Sequence, residues 1–470
     1  MSTSLAKSSD GSAETVSISR NPATGQEIAR YAHDTSAERD QILESAHKAW
    51  FFWRNTPVSE RANVLRRIRA ELLNRREALA ITITQEMGKP VSAARAEVDK
   101  CAELCNWYAD HAASLARPEP AEVGSDGQAH VAFLPLGVVL GVMPWNFPLW
   151  QVLRAAVPIL TAGNAFLVKH ADNVQGSANN LASIMQDVGL PSGLFGVVNT
   201  DPRGIAELIA DPRIAAVTVT AGVNAGAAIA REAGRNLKKT VLELGGSDPF
   251  VVLADADLDR AVPAAVEARF ANAGQVCIAA KRIIVEKSIH AEFVDRFAAE
   301  VAALRLGDPM AEATDLGPMA IPRLRDELHR QVEESVSRGA SLLAGGAIPD
   351  GPGNFYPATI LTNVTADMPV FDEETFGPVA AIVVADDESH AIQLANNSNY
   401  GLSSALWTSN LQKAATLASQ IETGAVFING ISKSDPRVPI GGIKNSGYGR
   451  ELSHFGFREF CNAQLVWTRD

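Results

Sequence analysis

The sequence predicts an α/β protein of two doubly wound domains with a small β element appended, and three observations carry that prediction. Short apolar runs alternate with helical stretches along most of the chain. The alternation falls into two series separated by Glu243-Leu244-Gly245-Gly246. At 470 residues the chain also exceeds what one hydrophobic core usually supports. Alternation of this kind builds parallel sheets covered by helices on both faces.

Residues 1–19 are Ser-rich and polar, lack the apolar stretch of a secretory signal, and read as a frayed tail. Between Ser59 and Leu115 apolar residues recur at helical spacing, punctuated by Gly88-Lys89-Pro90, so two long helices are expected. Residues 129–134, 138–142 and 165–169 are short apolar runs, with a helix expected over 153–160. The first series continues through 195–199, 205–209, 216–220, 225–233 and 239–242. The second runs through 250–253, 281–285, 293–303, 323–338, 379–384 and 425–429. The segment at 129–134 and the tail after Leu452 stand outside both series and are expected to form an exposed sheet element.

Composition narrows the function classes. With 46% apolar and 20% charged residues the chain is an ordinary globular one. Its net charge of −12 repels polyanions, and no basic cluster offsets it, so nucleic acid and anionic membrane are poor partners. Arg154 and Asn164 interrupt the apolar stretch after Pro148, so no membrane span is expected. Four cysteines are too few for a disulfide framework and fit a reducing, cytoplasmic compartment. Cys101 and Cys105 sit one helical turn apart without metal-ligand company, so they read as helix packing and no metal is expected.

Cys277, in Gly274-Gln275-Val276-Cys277, follows an Ala-rich helical stretch and precedes a strand. A lone cysteine is usually a small buried hydrophobe. The functional reading comes from its company, because a thiol nucleophile needs a base and an oxyanion donor. Glu243, flanked by Leu242 and Leu244 at a strand end, is the candidate base: apolar neighbours raise a carboxyl pKa toward neutrality. The alternative is an exposed strand end. Asn146, in Pro144-Trp145-Asn146-Phe147-Pro148, is the candidate oxyanion donor, the alternative being an Asx turn closing its own loop. No Gly-x-Gly-x-x-Gly follows any strand. Ala221-Gly222-Val223-Asn224-Ala225-Gly226 instead follows a strand and opens a helix, whose first N–H groups can face a pyrophosphate.

Together these residues resemble the aldehyde dehydrogenase superfamily, from Asn21-Pro22-Ala23-Thr24-Gly25 to Gly447-Tyr448-Gly449-Arg450-Glu451. Within it the chain is most similar to short succinate-semialdehyde dehydrogenases, through Lys169-His170-Ala171, Glu243 to Phe250 and Glu451 to Gly456. The resemblance implies NAD(P)-dependent oxidation of an aldehyde, most specifically succinate semialdehyde to succinate. Cys277 would form a thiohemiacetal, Asn146 and the Cys277 amide hold the oxyanion, and Glu243 activate water on the thioester. Glu451 matches a carboxylate proposed to relay protons. Trp145, Lys169, Gly222, Gly226, Leu244, Gly245, Glu374 and Phe376 would surround the cofactor. The alternatives are a broad-specificity aldehyde dehydrogenase and a catalytically silent scaffold of the same fold.

On this reading residues 1–242 form a dinucleotide-binding domain with an oligomerisation segment, 118–135, inserted. Residues 243–430 form the catalytic domain, and 431–470 return to the first domain and an oligomerisation tail; a homodimer or homotetramer is implied. Two departures stand out. Ala221-Gly222 replaces the usual Gly-Ser, removing a hydroxyl contact to the pyrophosphate, and Ala279 replaces a second cysteine found in some relatives, excluding a vicinal disulfide.

Arg154, eight residues after Asn146, stands where succinate-semialdehyde enzymes of the family present arginine, and the resemblance implies that it lines the entrance tunnel and pairs with a distal carboxylate, the alternative being a helix-surface ion pair. Where some relatives carry a second arginine, six residues before the nucleophile, this chain has Ala271; Ser434 or Arg437 are the candidates to compensate. Asp172, three residues after Lys169, can accept from a ribose 2′-OH and repel a 2′-phosphate, so NAD is favoured and NADP possible. A protonated His170 would offset part of that repulsion.

Overall fold

The computed structural model describes residues 15–469. Of the expected tail, residues 1–14 lie outside the described residues, and the remainder is a strand: β1 (Val16–Arg20) pairs antiparallel with β2 (Glu27–Ala32). The polar run makes a strand because Ser17 and Ser19 bury their hydroxyls against Asn199 and Glu86. Four helices follow, α1 (Ser36–Trp53), α2 (Val58–Asn74), α3 (Arg76–Met87) and α4 (Val91–Leu115). The two helices expected over 59–115 are therefore three, because the chain turns at Arg75 (φ −97°, ψ 11°) with no glycine or proline to mark the break. Cys101 and Cys105 are fully buried on α4, as helix packing requires.

The chain continues through β3 (Glu119–Ala121), β4 (Gln128–Pro135), β5 (Val138–Met143), α5 (Trp150–Ala162), β6 (Ala165–His170), α6 (Gln175–Asp187), β7 (Phe195–Val197), α7 (Pro202–Ala210), β8 (Ile214–Thr220), α8 (Val223–Arg235) and β9 (Lys239–Glu243). Next come β10 (Asp248–Val252), α9 (Leu258–Phe270), β11 (Ala280–Glu286), α10 (His290–Ala302), α11 (Pro322–Ser337), β12 (Ser341–Ala344), β13 (Thr359–Thr362), α12 (Pro369–Asp372), β14 (Val379–Ala385) and α13 (Glu388–Asn396). The last elements are β15 (Tyr400–Gly401), β16 (Ser404–Trp407), α14 (Leu411–Ala418), β17 (Val426–Ile428), β18 (Ile443–Lys444), β19 (Gly447–Tyr448), α15 (Ser453–Glu459) and β20 (Cys461–Thr468).

Two large sheets organise these elements. The first has the order β19-β9-β8-β5-β6-β7, parallel except for β19, which returns late in the chain to pair with β9. The second has the order β12-β13-β14-β11-β10-β16-β17, parallel except for β12. Glu243 is the last residue of β9, so it belongs to the first sheet, and the second begins at Asp248. Both faces of the second sheet are buried: Val379, Ala381 and Val383 of β14 enter one apolar cluster, Ala380 and Ile382 the other. The two-residue period of a strand thus feeds two cores at once. A third sheet, β20-β4-β3, forms from the two segments that stood outside both alternating series, with β20 and β4 paired over eight residues. Among the described residues no helix is long and apolar enough to cross a membrane.

Candidate active site

Parallel strands deliver their C-terminal ends to one edge of a sheet, where ligands of such folds gather. Here that edge carries Lys169 on β6, Asn146 just after β5, Gly222 just after β8 and Glu243 at the end of β9. A cavity of about 350 Å³ opens beside it, lined by Trp145, Asn146, Gly222, Leu244, Gly245, Cys277, Glu374 and Phe376 among others. Trp145 and Phe376 meet edge to face across it, ring centroids 5.8 Å apart.

The loop before Cys277 takes an unusual path. Asn272, Ala273 and Gly274 all have positive φ (53°, 51° and 70°), a conformation that L side chains adopt only when their surroundings impose it. The Asn272 amide donates to the Asn146 carbonyl at 3.0 Å, and Gln275 donates to Asn272 O while accepting from Ala320 N–H at 2.9 Å. Behind the loop, the fully buried Lys281 ammonium donates to Gly246 O (2.6 Å), Cys277 O (2.8 Å) and the Glu374 carboxylate (3.0 Å). One cation therefore ties together the nucleophile loop, the Glu243-Leu244-Gly245-Gly246 turn and Glu374. Cys277 is half-buried on the cavity wall, and desolvation pushes its thiol up to about 11 against the opposing charges of Arg154 and Lys281.

Glu243 is buried, so the exposed-strand-end alternative is set aside. Desolvation, then the Glu451 charge, raise its pKa to about 8, while Arg154 opposes them. Its Oε1 has no hydrogen-bond partner. Asn146 is also buried and donates one amide proton to Gln275 O at 2.9 Å; an amide carries a second. The Asx-turn alternative is not what forms, since its partners lie about 130 residues away.

Around the cofactor edge, Gly222 caps α8 with no side-chain bond, leaving the first N–H groups of that helix for a ligand. A Cβ on Gly226 would run into Leu244, and one on Gly245 into the Glu374 carboxylate, so both glycines permit close backbone approach. These features suit a dinucleotide phosphate and its nicotinamide end. Lys169 and Asp172 pair with each other at 2.6 Å. His170 is wholly buried, accepting at Nδ1 from Ala171 N–H and donating at Nε2 to Pro148 O, and desolvation lowers its pKa to about 4. It stays neutral and offsets no repulsion at Asp172.

The expected substrate anchors need correction. Every residue of α5 is buried, Gln151 on the cavity wall included, so Arg154 is not a helix-surface residue, and it is not among the residues lining the cavity at Cys277. It is buried in an ion pair with Glu451, with Nη2 donating to Thr220 at 3.3 Å. Arg437 is exposed and folded back on Asp435 at 2.7 Å, because the intervening turn brings the two side chains together. Ser434 is buried and accepts from Lys100 Nζ at 2.8 Å.

Lys281, Asn272 and Gln275 escaped sequence reasoning as site residues. Gln275 lay inside the quoted Cys277 motif, and its polarity next to Val276 was a usable signal; one lysine among forty-two cations offered none.

A half-buried thiol on the wall of a cavity beside such a sheet edge, with a buried carboxyl raised toward neutrality at the end of the neighbouring strand, fits a nicotinamide-dependent oxidoreductase working through a covalent thioester. Comparison with known proteins agrees with this class. The model of the aldehyde dehydrogenase family matches residues 8–466. Succinate semialdehyde dehydrogenase [NAD(P)+] Sad of Escherichia coli (strain K12) is 52% identical over 96% of this chain and 98% of its own. A probable succinate-semialdehyde dehydrogenase [NADP(+)] of Synechocystis is 46% identical over 95% of this chain and 98% of its own. The crystal structure of succinic semialdehyde dehydrogenase from Streptococcus pyogenes with NADP+ superposes with a TM-score of 0.94, at 37% identity, covering 96% of this chain and all of that one. The chain belongs to the aldehyde dehydrogenase family, and is an NAD(P)-dependent oxidoreductase of the α/β architecture expected.

Proposed function

We propose that this enzyme oxidises succinate semialdehyde to succinate. The observation that carries the substrate choice is the similarity, at 44–52% identity over nearly the whole chain, to relatives that are named for this substrate.

Glu243 and Cys277 set the first step. Burial raises both the Glu243 carboxyl and the Cys277 thiol, with the thiol standing higher, so proton transfer at rest is uphill and deprotonation accompanies attack on the carbonyl. The free amide proton of Asn146 and the Cys277 N–H hold the oxyanion of the thiohemiacetal. Lys169, Gly222, Gly226, Leu244, Gly245, Trp145, Glu374 and Phe376 hold a dinucleotide, which supplies the hydride acceptor. Glu243 then takes a proton from the water that cleaves the thioester, and Glu451 accepts it in relay.

Asp172 supports NAD as the preferred cofactor, while its pairing with Lys169, which offsets its charge, and relatives named for NADP support NADP being accepted. The exposed Leu465, Val466 and Trp467 of β20 support self-association into dimers or tetramers through the β20-β4-β3 sheet, which sedimentation velocity tests.

The deciding experiment compares kcat/KM for succinate semialdehyde and for butanal, an uncharged aldehyde of equal length, with each cofactor, following absorbance at 340 nm. A preference of about tenfold or more for the charged aldehyde is expected. Equal values point to the broad-specificity reading, and no absorbance change with any aldehyde points to the silent one.

A further inference from the structure

The turn that carries Asn146 is held from behind by a buried ion pair, neither member of which lines the cavity at Cys277. Gly88-Lys89-Pro90, which the sequence marks only as a break between helices, delivers Lys89 to Glu97 of α4, and both side chains are 1% exposed. Glu97 uses Oε2 for that pairing. Its Oε1 accepts from Leu149 N–H at 2.9 Å and Trp150 N–H at 3.0 Å, where α5 begins. The first N–H groups of a helix have no partner inside it, and the cap residue Leu149 offers no side-chain acceptor, so a carboxylate from another helix fixes this end of α5. Lys89 Nζ also stands 3.7 Å from the centroid of the Phe147 ring.

The pair thus touches three of the four residues that follow Asn146, and the carbonyl of the fourth, Pro148, accepts from the neutral His170 at 2.8 Å. On the opposite side the Asn146 carbonyl accepts from Asn272, and its amide donates to Gln275 O. Apolar side chains of similar volume often stabilise an interior as well as a buried ion pair does, so stability alone does not call for charges here. Position does. An oxyanion donor works only when it is aimed at the place where the charge develops, and a displacement of about 1 Å can cost about 10²-fold in rate.

We infer that Lys89 and Glu97 are positioning residues for the oxyanion donor, acting through the backbone of the turn to aim the Asn146 amide at the carbonyl oxygen. This rests on the proposal that Asn146 holds the oxyanion.

The test follows single-turnover hydride transfer by stopped flow at 340 nm, beside cofactor affinity by fluorescence titration and alkylation of Cys277 by iodoacetamide, a reaction that forms no oxyanion. N146A is expected to slow hydride transfer about 10²- to 10³-fold. K89M/E97L strands no charge but leaves both N–H groups without their acceptor; it is expected to slow the step about 10- to 100-fold, with the other two readouts within about threefold. K89M/E97Q keeps an oxygen for both N–H groups and recovers most of that loss. E97D keeps the charge and draws the acceptor back by one methylene, so it reads the same step, at about tenfold, where K89M/E97L does not fold. Beside N146A none of these changes slows the step further. A wild type that transfers no hydride, or an N146A enzyme as fast as wild type, overturns the oxyanion reading and this inference with it. With N146A slow, three results overturn this inference alone: E97D and K89M/E97L within about threefold of wild type, losses that persist undiminished beside N146A, or alkylation and cofactor affinity that fall in step with hydride transfer.

Discussion

The Arg154–Glu451 pair offers a quantitative test of how the reaction chamber is held. Both side chains are 3% exposed, so removing one partner strands a charge in the interior. Breaking a buried pair from one side costs about 3–5 kcal/mol, whereas replacing both partners by neutral groups of similar volume is often close to neutral. R154M is therefore expected to lose about 3–5 kcal/mol, and R154M/E451L to regain most of it. Urea denaturation monitored by tryptophan fluorescence measures each corner of the cycle, with a coupling of at least about 2 kcal/mol expected. The same variants carry a second readout. Glu451 raises and Arg154 lowers the pKa of Glu243, so the acid limb of kcat moves to lower pH in a folded E451Q and to higher pH in R154M, each by about one pH unit, equal to about 1.4 kcal/mol. Additive destabilisation within about 0.5 kcal/mol, or limbs that move the other way, would refute the reasoning. R154A alone cannot test substrate anchoring, because its cost on KM is mixed with the stranded Glu451.

Four further outcomes follow from the same geometry. Glu243 works as a base only when ionised, so thioester hydrolysis is lost as pH falls through about 8; in E243Q that limb disappears and hydrolysis slows by about 10²–10⁴, while a stopped-flow burst of thioester formation remains the check on the earlier step. K281M leaves Gly246 O and Cys277 O without their donor and Glu374 with only the Gly246 N–H, and should cost about 3–5 kcal/mol in denaturation; a loss under about 1 kcal/mol would dismiss the clamp. G222S adds the hydroxyl that relatives use, at a position where a Cβ meets nothing within 4 Å, so KM for the cofactor should fall a few-fold, and an unchanged or higher value speaks against that contact. G245A, whose new methyl displaces the Glu374 carboxylate, should weaken cofactor binding about tenfold or more by fluorescence titration, whereas an unchanged Kd would show that Glu374 contributes nothing to it.

What the chain announced in advance depended on the range of the forces involved. The strands of both sheets were legible because parallel strands buried on both faces need continuous apolar runs, as in Val138 to Met143 and Val379 to Ala385. The break at Arg75 was not, because two helices can turn against each other on packing alone. The sequence reading contains no counterpart of α1 even though Thr35 and Glu38 form a capping box, a local signal that was available. At the site, Cys277, Glu243 and Asn146 were recognisable as residue types suited to the chemistry, and the structure brings Cys277 and Asn146 to one cavity beside the strand that ends in Glu243. The partners of Arg154 and Arg437 were not legible because an arginine's partner is decided in three dimensions: Glu451 lies about three hundred residues away from one, and Asp435 captures the other. Lys281 was invisible for the same reason, since its three acceptors come from three separate stretches.

Glu243 closes the first sheet and Cys277 stands just ahead of a strand in the second, with only residues 244–247 joining the two sheets at that point. Neither half carries a complete set of reacting groups, so turnover reports on the docking of the halves and not on the integrity of either one. A chain nicked in a distant loop can remain active while its pieces stay associated. A small rotation at that four-residue joint would silence an enzyme whose two cores are both intact.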